Sequence, residues 1–396
     1  MILNSYFDTQ LFKRAKGNYL FDTKNNKYLD TSFGSGTLLF GHNDREINEA
    51  IKKQLSKALL INQNHTNAHI LDEKLVNFFK GKIKNFVYCN TGSEASQRAI
   101  RYAREYNGKD GVIFFKGSWH GMNEWTIDGG GNAFEYARDV TGLPSLVNKI
   151  KHQMPMDYKL LKIFIEENYA KISSIIIEPI KGSNPEKPNL QLLDKIIILC
   201  KKYNIVTIFD EIISGFRINK TGVSLSLKNM PDIILYGKSL GGGLPIGVVA
   251  LSEKIAKKTF FKKNSQTLAG GTFSLNPLVC ASSIMFLNKI SKHNFNEGAL
   301  SNLFRDKLNN YFKAKNFDLK INGYGSMSRI IFTKDQFESI KERIELENKN
   351  SLRKKFIINI KKKKVIWPKN GVIFHSAQYD QKTFNILYNH IVSCIN

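Results

Sequence analysis

The chain has 396 residues, of which 42% are hydrophobic and 23% are charged, as in ordinary globular proteins long enough for two domains. No apolar run approaches the roughly 18 residues of a membrane span, and the N-terminus lacks the pattern of a secretory signal. The four scattered cysteines show no CxxC spacing, so we expect neither a metal site nor a disulfide framework and predict a cytoplasmic protein.

The net charge of +25 is the most unusual feature of the composition. Such a charge is typical of proteins that bind nucleic acid or an anionic membrane. Here, however, lysine is spread over the whole chain, and the densest stretch, residues 352–368, belongs to no nucleic-acid-binding motif. We therefore interpret the charge as compositional, predict neither a nucleic-acid nor a membrane partner, and expect the charge to favour anionic substrates by steering.

Short runs rich in β-branched residues alternate with helical patterns, in the order expected of an α/β protein. Runs that are apolar throughout are typical of strands buried on both faces of a parallel sheet. They lie at 86–89, 111–115, 173–178, 205–211, 232–237 and 246–251. Helical patterns at 92–106 and 189–203 separate some of them, so we predict a largely parallel sheet whose ligands bind beyond the carboxyl ends of its strands.

Three of these predicted strands end in residues capable of chemistry. The strand 86–89 leads into NTGSEAS, where a glycine, hydroxyl side chains and a helix N-terminus could hold a phosphate. Another strand ends in Asp210, and a third ends in Lys238. Taken singly, the hydroxyls fit an ordinary helix cap and the carboxylate an ordinary strand end. Together they suit pyridoxal phosphate, which needs a phosphate grip, a carboxylate at its ring nitrogen and a lysine for the Schiff base.

Five segments in order along residues 90–282 resemble motifs of the class III aminotransferases, which are pyridoxal-phosphate enzymes of fold type I. They are NTGSEASQRAIRYAREYNGKDGVIFFKGSWHG (90–121), IIIEPIKG (175–182), IFDEIISGFR (208–217), PDIILYGKSLGGGLPIG (231–247) and AGGTFSLNPLVCAS (269–282). The chain is most similar to the glutamate-1-semialdehyde aminomutase branch of that class. The resemblance implies an α/β fold, with a mostly parallel sheet in a large cofactor domain and a smaller α+β domain.

The resemblance also assigns roles around the ring of the cofactor. Lys238 would form the Schiff base and act as general base and acid in catalysis. Asp210 would keep the pyridine nitrogen protonated. Ile212 would pack on one face of the ring, and Trp119, where the family usually has tyrosine, would cover the other.

Other residues would hold the phosphate or support the residues that touch the cofactor. Gly92 and Ser93 would bind the phosphate, and Thr272 would reach the phosphate of the neighbouring subunit, because the family builds its site at a homodimer interface. His120 and Glu178 would lie behind the residues that contact the ring. For His120, a packed, hydrogen-bonded histidine without a catalytic role is an equal interpretation.

The sequence departs from the aminomutase branch around the substrate. Ser35 stands where the branch has tryptophan, which predicts a roomier pocket, and Arg329 is a candidate carboxylate anchor unless it is simply solvated. We therefore expect an aminotransferase with an amino donor and a carbonyl acceptor other than glutamate semialdehyde, such as a sugar or amino-acid derivative. An intramolecular aminomutase stays open as an alternative, as does, more remotely, a catalytically silent binding protein.

The domain boundaries are also implied by the resemblance. Residues 1–45 and 286–396 would form the small domain, and residues 46–285 the large one. The glycine-rich stretch 122–156 looks irregular between two predicted strands. It would be a mobile gate over the site, as in the related branch, or a disordered loop.

Overall fold

The computed structural model describes residues 10–127, 140–337, 340–368 and 370–396. In these ranges the strands are β1 Phe12–Lys16, β2 Tyr19–Asp22, β3 Lys27–Asp30, β4 Asn85–Cys89, β5 Gly111–Phe115, β6 Lys151–Met154, β7 Ile172–Ile177, β8 Val206–Asp210, β9 Ile233–Gly237, β10 Gly247–Leu251, β11 Lys320–Tyr324, β12 Met327–Ile331, β13 Val365–Ile366 and β14 Val372–Phe374. The helices are α1 Phe33–Gly36, α2 Arg45–Leu55, α3 Thr66–Phe78, α4 Gly92–Asn107, α5 Ser145–Ile150, α6 Tyr158–Asn168, α7 Leu190–Lys202, α8 Glu253–Thr259, α9 Pro277–Lys292, α10 Asn296–Ala314, α11 Ile340–Lys349, α12 Ser351–Lys362 and α13 Gln381–Ile395.

The central element is a seven-stranded sheet with the strand order β4-β10-β9-β8-β7-β5-β6. Strands β6, β5, β7, β8 and β9 pair in parallel with one another, and for β5, β7, β8 and β9 the buried apolar runs predict this. Because β10 is antiparallel to both β4 and β9, those two strands run in the same direction. The carboxyl ends of β4, β9, β8 and β7 therefore lie along one edge of the sheet.

Two expectations about this sheet were wrong. The run 246–251 is not a parallel strand: it forms β10, which returns antiparallel beside β9. The connection from β9 to β10 has only nine residues, 238–246, and a parallel crossover needs a dozen or more. The stretch 122–156 is not wholly irregular, because it contains α5 and the edge strand β6. The sequence of β6, KHQM, is too polar to be recognised as a strand from its pattern. Residues 128–139, where a gate was expected, lie outside the described residues.

The side chains of the sheet alternate between two apolar layers, as the period of a strand requires. Ile113 and Phe115 of β5 belong to a layer with Leu161 of α6 and Ile196 of α7. The intervening Phe114 lies in a second layer, which is formed with α4 and α8. Since both faces are covered by helices, strands β5, β7, β8, β9 and β10 are buried throughout, and side chains at their ends are held in fixed positions.

The two ends of the chain meet in a smaller four-stranded sheet with the order β1-β2-β3-β13. Its strand β13 pairs in parallel with β3, so that Val365 of β13 lies opposite Leu29 of β3. A three-stranded sheet, β11-β12-β14, completes the C-terminal part.

The domain boundaries expected near residues 45 and 286 stay a prediction. Among the described residues, no helix combines the length and apolar character that a bilayer crossing requires.

Candidate active site

A cavity of about 360 Å³ lies at the carboxyl edge of the central sheet. Seven residues proposed from the sequence line it: Gly92, Ser93, Trp119, His120, Asp210, Ile212 and Lys238. Three strand ends supply the reactive groups, because β4 leads into the turn before α4, β8 ends at Asp210 and β9 is followed directly by Lys238. Parallel strands place their carboxyl ends together, so residues far apart in sequence meet here.

The turn before α4 presents a helix N-terminus to the cavity. Thr91 is the N-cap, and its hydroxyl accepts a hydrogen bond from the Glu94 amide at 3.1 Å. The first amides of a helix have no acceptor within the helix, so those of Gly92 and Ser93 can bind an anion. A Cβ at Gly92 would lie 2.6 Å from Cδ1 of Ile212, so only glycine allows this close approach.

The hydroxyl of Ser93 is held by the segment that follows β5. It accepts a hydrogen bond from the amide of Met122 at 3.0 Å. Gly121 lies so close that a Cβ there would be 2.4 Å from Oγ of Ser93, and its φ is +84°. The position therefore demands glycine on two grounds, and the packing fixes Ser93 beside the helix N-terminus.

Asp210 is a buried carboxylate with two hydrogen-bond partners among the described residues. Its Oδ2 accepts a hydrogen bond from Nδ1 of His120 at 2.8 Å, and its Oδ1 accepts one from the amide of Ile212 at 3.1 Å. Because His120 donates through Nδ1, the position of the carboxylate is fixed. The Nε2 of His120 is buried and has no hydrogen-bond partner in the part of the chain that the structure describes.

Glu178 lies behind Trp119 at the end of β7. Its two carboxylate oxygens accept hydrogen bonds from the amides of Trp119 and Gly182, at 2.8 and 3.1 Å. Burial raises the pKa of Glu178 to about 7, helped by the charge of Asp210 and opposed by His120. The carboxyl group is therefore close to half protonated at neutral pH.

Lys238 begins a short 3-10 turn after β9 and has a φ of +43°. A lysine with positive φ is strained, and such strain is found preferentially at functional sites. Burial, together with the cation of Arg217, lowers the pKa of the Lys238 amine to about 8, against the opposing charges of Glu178 and Asp210. At pH 7 roughly a tenth of the amine is therefore unprotonated, and so nucleophilic, which is far more than for an ordinary lysine.

Three proposed residues lie outside this cavity. Thr272 is exposed on the loop before α9, and Ser35 is exposed with a φ of +55°. Thr37, two residues after Ser35, lines the cavity instead. Arg329 is not solvated: it is 4% exposed, and its guanidinium donates to the carbonyl oxygens of Ser183, at 3.1 Å, and Asn370.

Sequence analysis also missed Arg217, although the motif IFDEIISGFR that it ends was recognised. Arg217 is 1% exposed, and its guanidinium donates to the carbonyl oxygen of Gly36 and, at 3.2 Å, to the hydroxyl of Ser326. An arginine is rarely buried completely without function or pairing. Its position at the end of a recognised motif was the available signal.

The chain belongs to the class III aminotransferase family, since the sequence profile described as Aminotransferase class-III matches residues 5–376. It is therefore a pyridoxal-phosphate-dependent enzyme of that class. A glutamate-1-semialdehyde 2,1-aminomutase of Wigglesworthia glossinidia brevipalpis is 31% identical over 95% of this chain and 86% of the relative. One of Methanosphaera stadtmanae is 29% identical over 93% and 85%.

The fold is also found in solved structures. An omega-transaminase from Sphaerobacter thermophilus superimposes with a TM-score of 0.88 at 21% identity, covering 99% of this chain and 92% of that one. The recognition of the family, the fold class, and the cofactor are confirmed. The cavity also fits pyridoxal phosphate on its own chemistry, because it combines a glycine-lined helix N-terminus, a buried carboxylate and a lysine with a lowered pKa.

Proposed function

We propose that the protein is an aminotransferase that moves an amino group between a small amino donor and a carbonyl acceptor. The observation that carries the proposal is the convergence of Lys238, Asp210 and the α4 N-terminus on one cavity. When bound there, pyridoxal phosphate supplies an electron sink for the bond that breaks at the amino-bearing carbon of the substrate. The residues of the chain orient the cofactor and move the proton.

Each part of the cofactor has a candidate binding group. The carboxylate of Asp210, fixed by His120, would hold the proton on the ring nitrogen. The amides of Gly92 and Ser93 would hold the phosphate at the start of α4. Trp119 lines the cavity, and its amide is held by Glu178, so we propose that its indole covers one face of the ring. Ile212 would pack against the other.

Lys238 is the proposed proton carrier. With a pKa near 8, its Nζ can take a proton from the amino-bearing carbon of the substrate and return it to a neighbouring atom. Such a general base is most effective when its pKa lies near the working pH. Glu178 and Asp210 stabilise the protonated form of Nζ, whereas Arg217 stabilises the neutral form. The balance keeps both forms accessible.

The second candidate is intramolecular amino transfer on the same site, which the names of the curated relatives favour. We prefer an intermolecular reaction on a larger substrate, such as a sugar or amino-acid derivative. Ser35 motivates this preference from the sequence alone: a small exposed side chain stands where the aminomutase branch places tryptophan, whereas Thr37 is the residue of this segment that lines the cavity. Arg329 does not line the cavity, so we no longer propose it as a direct anchor for the substrate.

We also propose a homodimer with shared active sites. An apolar hollow lined by Leu59, Leu60 and Phe273 adjoins the cofactor cavity, since Leu244 and Pro245 line both. Leu59 and Phe273 are 63% and 61% exposed, and exposed apolar patches of this kind mark protein interfaces. Thr272 is next to Phe273, where it could reach the phosphate bound by the partner subunit.

We propose a cytoplasmic location as well. The four cysteines are buried and free, as is usual in the reducing cytoplasm.

The test is absorption spectroscopy of the purified protein with pyridoxal phosphate. We expect a stable visible band from cofactor joined to Lys238, and loss of that band in Lys238→Ala but not in Lys254→Ala. Adding single amino donors without an acceptor should then convert the band in a half-reaction. Rapid conversion of glutamate 1-semialdehyde to 5-aminolevulinate without any external donor would overturn the preference for intermolecular transfer and establish the second candidate.

A further inference from the structure

A second cavity, of about 290 Å³, lies between the loop after β7 and the start of α11. We call it the basic cleft, because four cationic side chains line it: Lys116, Lys181, Lys187 and Arg343. Neither Lys238 nor Asp210 lines it, so it is distinct from the cofactor cavity. The segment 116–121 borders both cavities, which places the cleft next to the active site.

Two of these cations have capacity for a further partner. Arg343 is 4% exposed, and its Nη1 donates to the Ser183 carbonyl oxygen at 3.3 Å. Its Nε lies 3.5 Å from Oε2 of Glu347 but makes no hydrogen bond to any described residue. Lys181 is partly buried, and burial lowers the pKa of its amine. A buried cation of this kind gains most from an anion that reaches it.

The carboxylates of the basic cleft are already occupied by other donors. Glu178 accepts the amides of Trp119 and Gly182, and its raised pKa leaves it only partly charged at neutral pH. Glu186 accepts the side-chain amides of Asn184, at 3.0 Å, and Asn322, at 2.6 Å. Both carboxylates attract Lys181, but the four cations that line the cleft outnumber them, so the net charge of the cleft is positive.

Behind the cleft, three arginines outnumber the carboxylate beside them: Arg329 and Arg343 are buried, and Arg353 is half-buried. Arg343 and Arg353 both lie within 4 Å of the Glu347 carboxylate, at 3.5 and 3.9 Å. Arg329 is buried beside them: burial lowers its pKa, and the charges of the other two arginines lower it further. In the described ranges, Glu347 is the carboxylate that these three share. Burying excess positive charge is costly unless a counter-ion offsets it.

We propose that the basic cleft binds a small oxyanion with two negative charges, either a phosphate group or a dicarboxylate. The guanidinium of Arg343 suits a planar or tetrahedral oxyanion, and the ammonium of Lys181 adds a second contact from the opposite wall. The binding of this anion does not depend on the proposed aminotransferase activity. Holoenzyme is used in the test so that the cofactor's own phosphate site is filled.

The experiment is isothermal titration calorimetry of holoenzyme with inorganic phosphate at constant ionic strength. We expect saturable binding of one phosphate per chain, weakened at least about tenfold in Lys181→Met, because the variant removes one charge partner. Lys53→Met is the matched control: it removes the same charge from an exposed position on α2 and should bind like the wild type. Arg343→Met should also weaken binding about tenfold or more. Should that buried substitution prevent folding, Lys181→Met on its partly exposed loop still decides the matter.

A parallel titration with succinate identifies the source of the oxyanion. Tighter binding of succinate assigns a dicarboxylate to the cleft, tighter binding of phosphate assigns a phosphate group, and both results support the site. The proposal is overturned if neither anion binds saturably below about 10 mM, or if Lys181→Met and Lys53→Met bind equally well. Because the readout is heat and not turnover, a failure here leaves the proposed aminotransferase activity untouched.

Discussion

Arg217 and Ser239 bind the same acceptor, the carbonyl oxygen of Gly36. The hydroxyl of Ser239 donates to it at 3.1 Å, and the guanidinium of Arg217 donates to it as well. The ring of Phe374 lies 4.9 Å from the guanidinium carbon. Ser239 directly follows the reactive Lys238, and Gly36 directly precedes Thr37, which lines the cavity. The hydrogen bonds to Gly36 therefore hold Arg217, the lysine turn and this part of the cavity wall together.

Replacing Arg217 by methionine removes this cation while keeping a long apolar side chain. We expect the pKa of the Lys238 amine to rise by about one unit, because a neighbouring positive charge disfavours protonation of the amine. The measurement is the pH dependence of the rate at which the cofactor-free protein captures pyridoxal phosphate. Arg217→Lys keeps the charge and should retain the wild-type midpoint, whereas an unmoved midpoint in Arg217→Met would contradict this role.

Replacing Asp210 by asparagine removes the negative charge that we expect at the ring nitrogen. The half-reaction with an amino donor should slow by about a hundredfold or more, because an amide cannot hold the nitrogen proton as a carboxylate does. Stopped-flow absorbance at saturating cofactor measures this rate. Asp232→Asn is the control, because Asp232 binds Thr207 at the opposite end of the sheet. Equal rates in both variants would remove Asp210 from the mechanism.

Much of the active site could be predicted because its residues belong to local motifs at strand ends. Gly92, Asp210 and Lys238 each follow an apolar run, and the parallel order of β4, β9 and β8 brings such ends together. What local sequence does not contain is the environment of a side chain. Arg329 was expected to be solvated or to contact substrate, yet its partners are the carbonyls of Ser183 and Asn370, 146 and 41 residues away.

The errors in the sheet have a similar origin. Run 246–251 has the apolar pattern of a parallel strand, because burial on both faces produces that pattern whatever the direction of the strand. Only the length of the preceding loop distinguishes the two directions. Strand β6 was missed for the opposite reason: among the described strands it pairs with β5 alone, at the edge of the sheet, so its side chains need not be apolar.

Glu178 should make the stability of the cofactor-free protein depend on pH. Its pKa is raised from 4.5 to about 7. Below pH 4.5 the carboxyl group is protonated in both the folded and the unfolded state. As the pH rises from 4.5 to 7, the unfolded state loses the proton first, so folding is penalised by an amount that grows to about 3 kcal/mol.

Glu178→Gln should remove this penalty. Relative to the variant, the wild type should lose stability between about pH 5 and pH 8, as measured by urea unfolding at the two values. The control is Glu186→Gln, which changes an exposed carboxylate of the same loop and should leave the wild-type pH difference intact. A wild type and a Glu178→Gln variant with parallel pH profiles would show that Glu178 is not held partly protonated.

Gly121→Ala should weaken cofactor binding by displacing the Ser93 hydroxyl. The new Cβ would lie 2.4 Å from Oγ of Ser93, at a position with a φ of +84°. Gly108→Ala is the matched control, since Gly108 has a φ of +71° and nothing within 4 Å of an added Cβ. Both variants should lose about 1 to 2 kcal/mol of stability from backbone strain. Only Gly121→Ala should also raise the dissociation constant of pyridoxal phosphate, by about tenfold or more, and equal constants would exclude a role for this contact.

Phe273→Asp tests the proposed dimer, because it places a charge in the apolar hollow beside the cofactor cavity. We expect a monomer in size-exclusion chromatography with light scattering, since an unpaired carboxylate is costly to bury in an interface. Ile198→Asp is the control: Ile198 on α7 is 56% exposed, close to the 61% of Phe273, but does not line this hollow. The monomer should also bind pyridoxal phosphate more weakly, because Thr272 of each subunit is proposed to reach the phosphate of the other. A Phe273→Asp dimer with wild-type affinity for the cofactor would place the interface elsewhere.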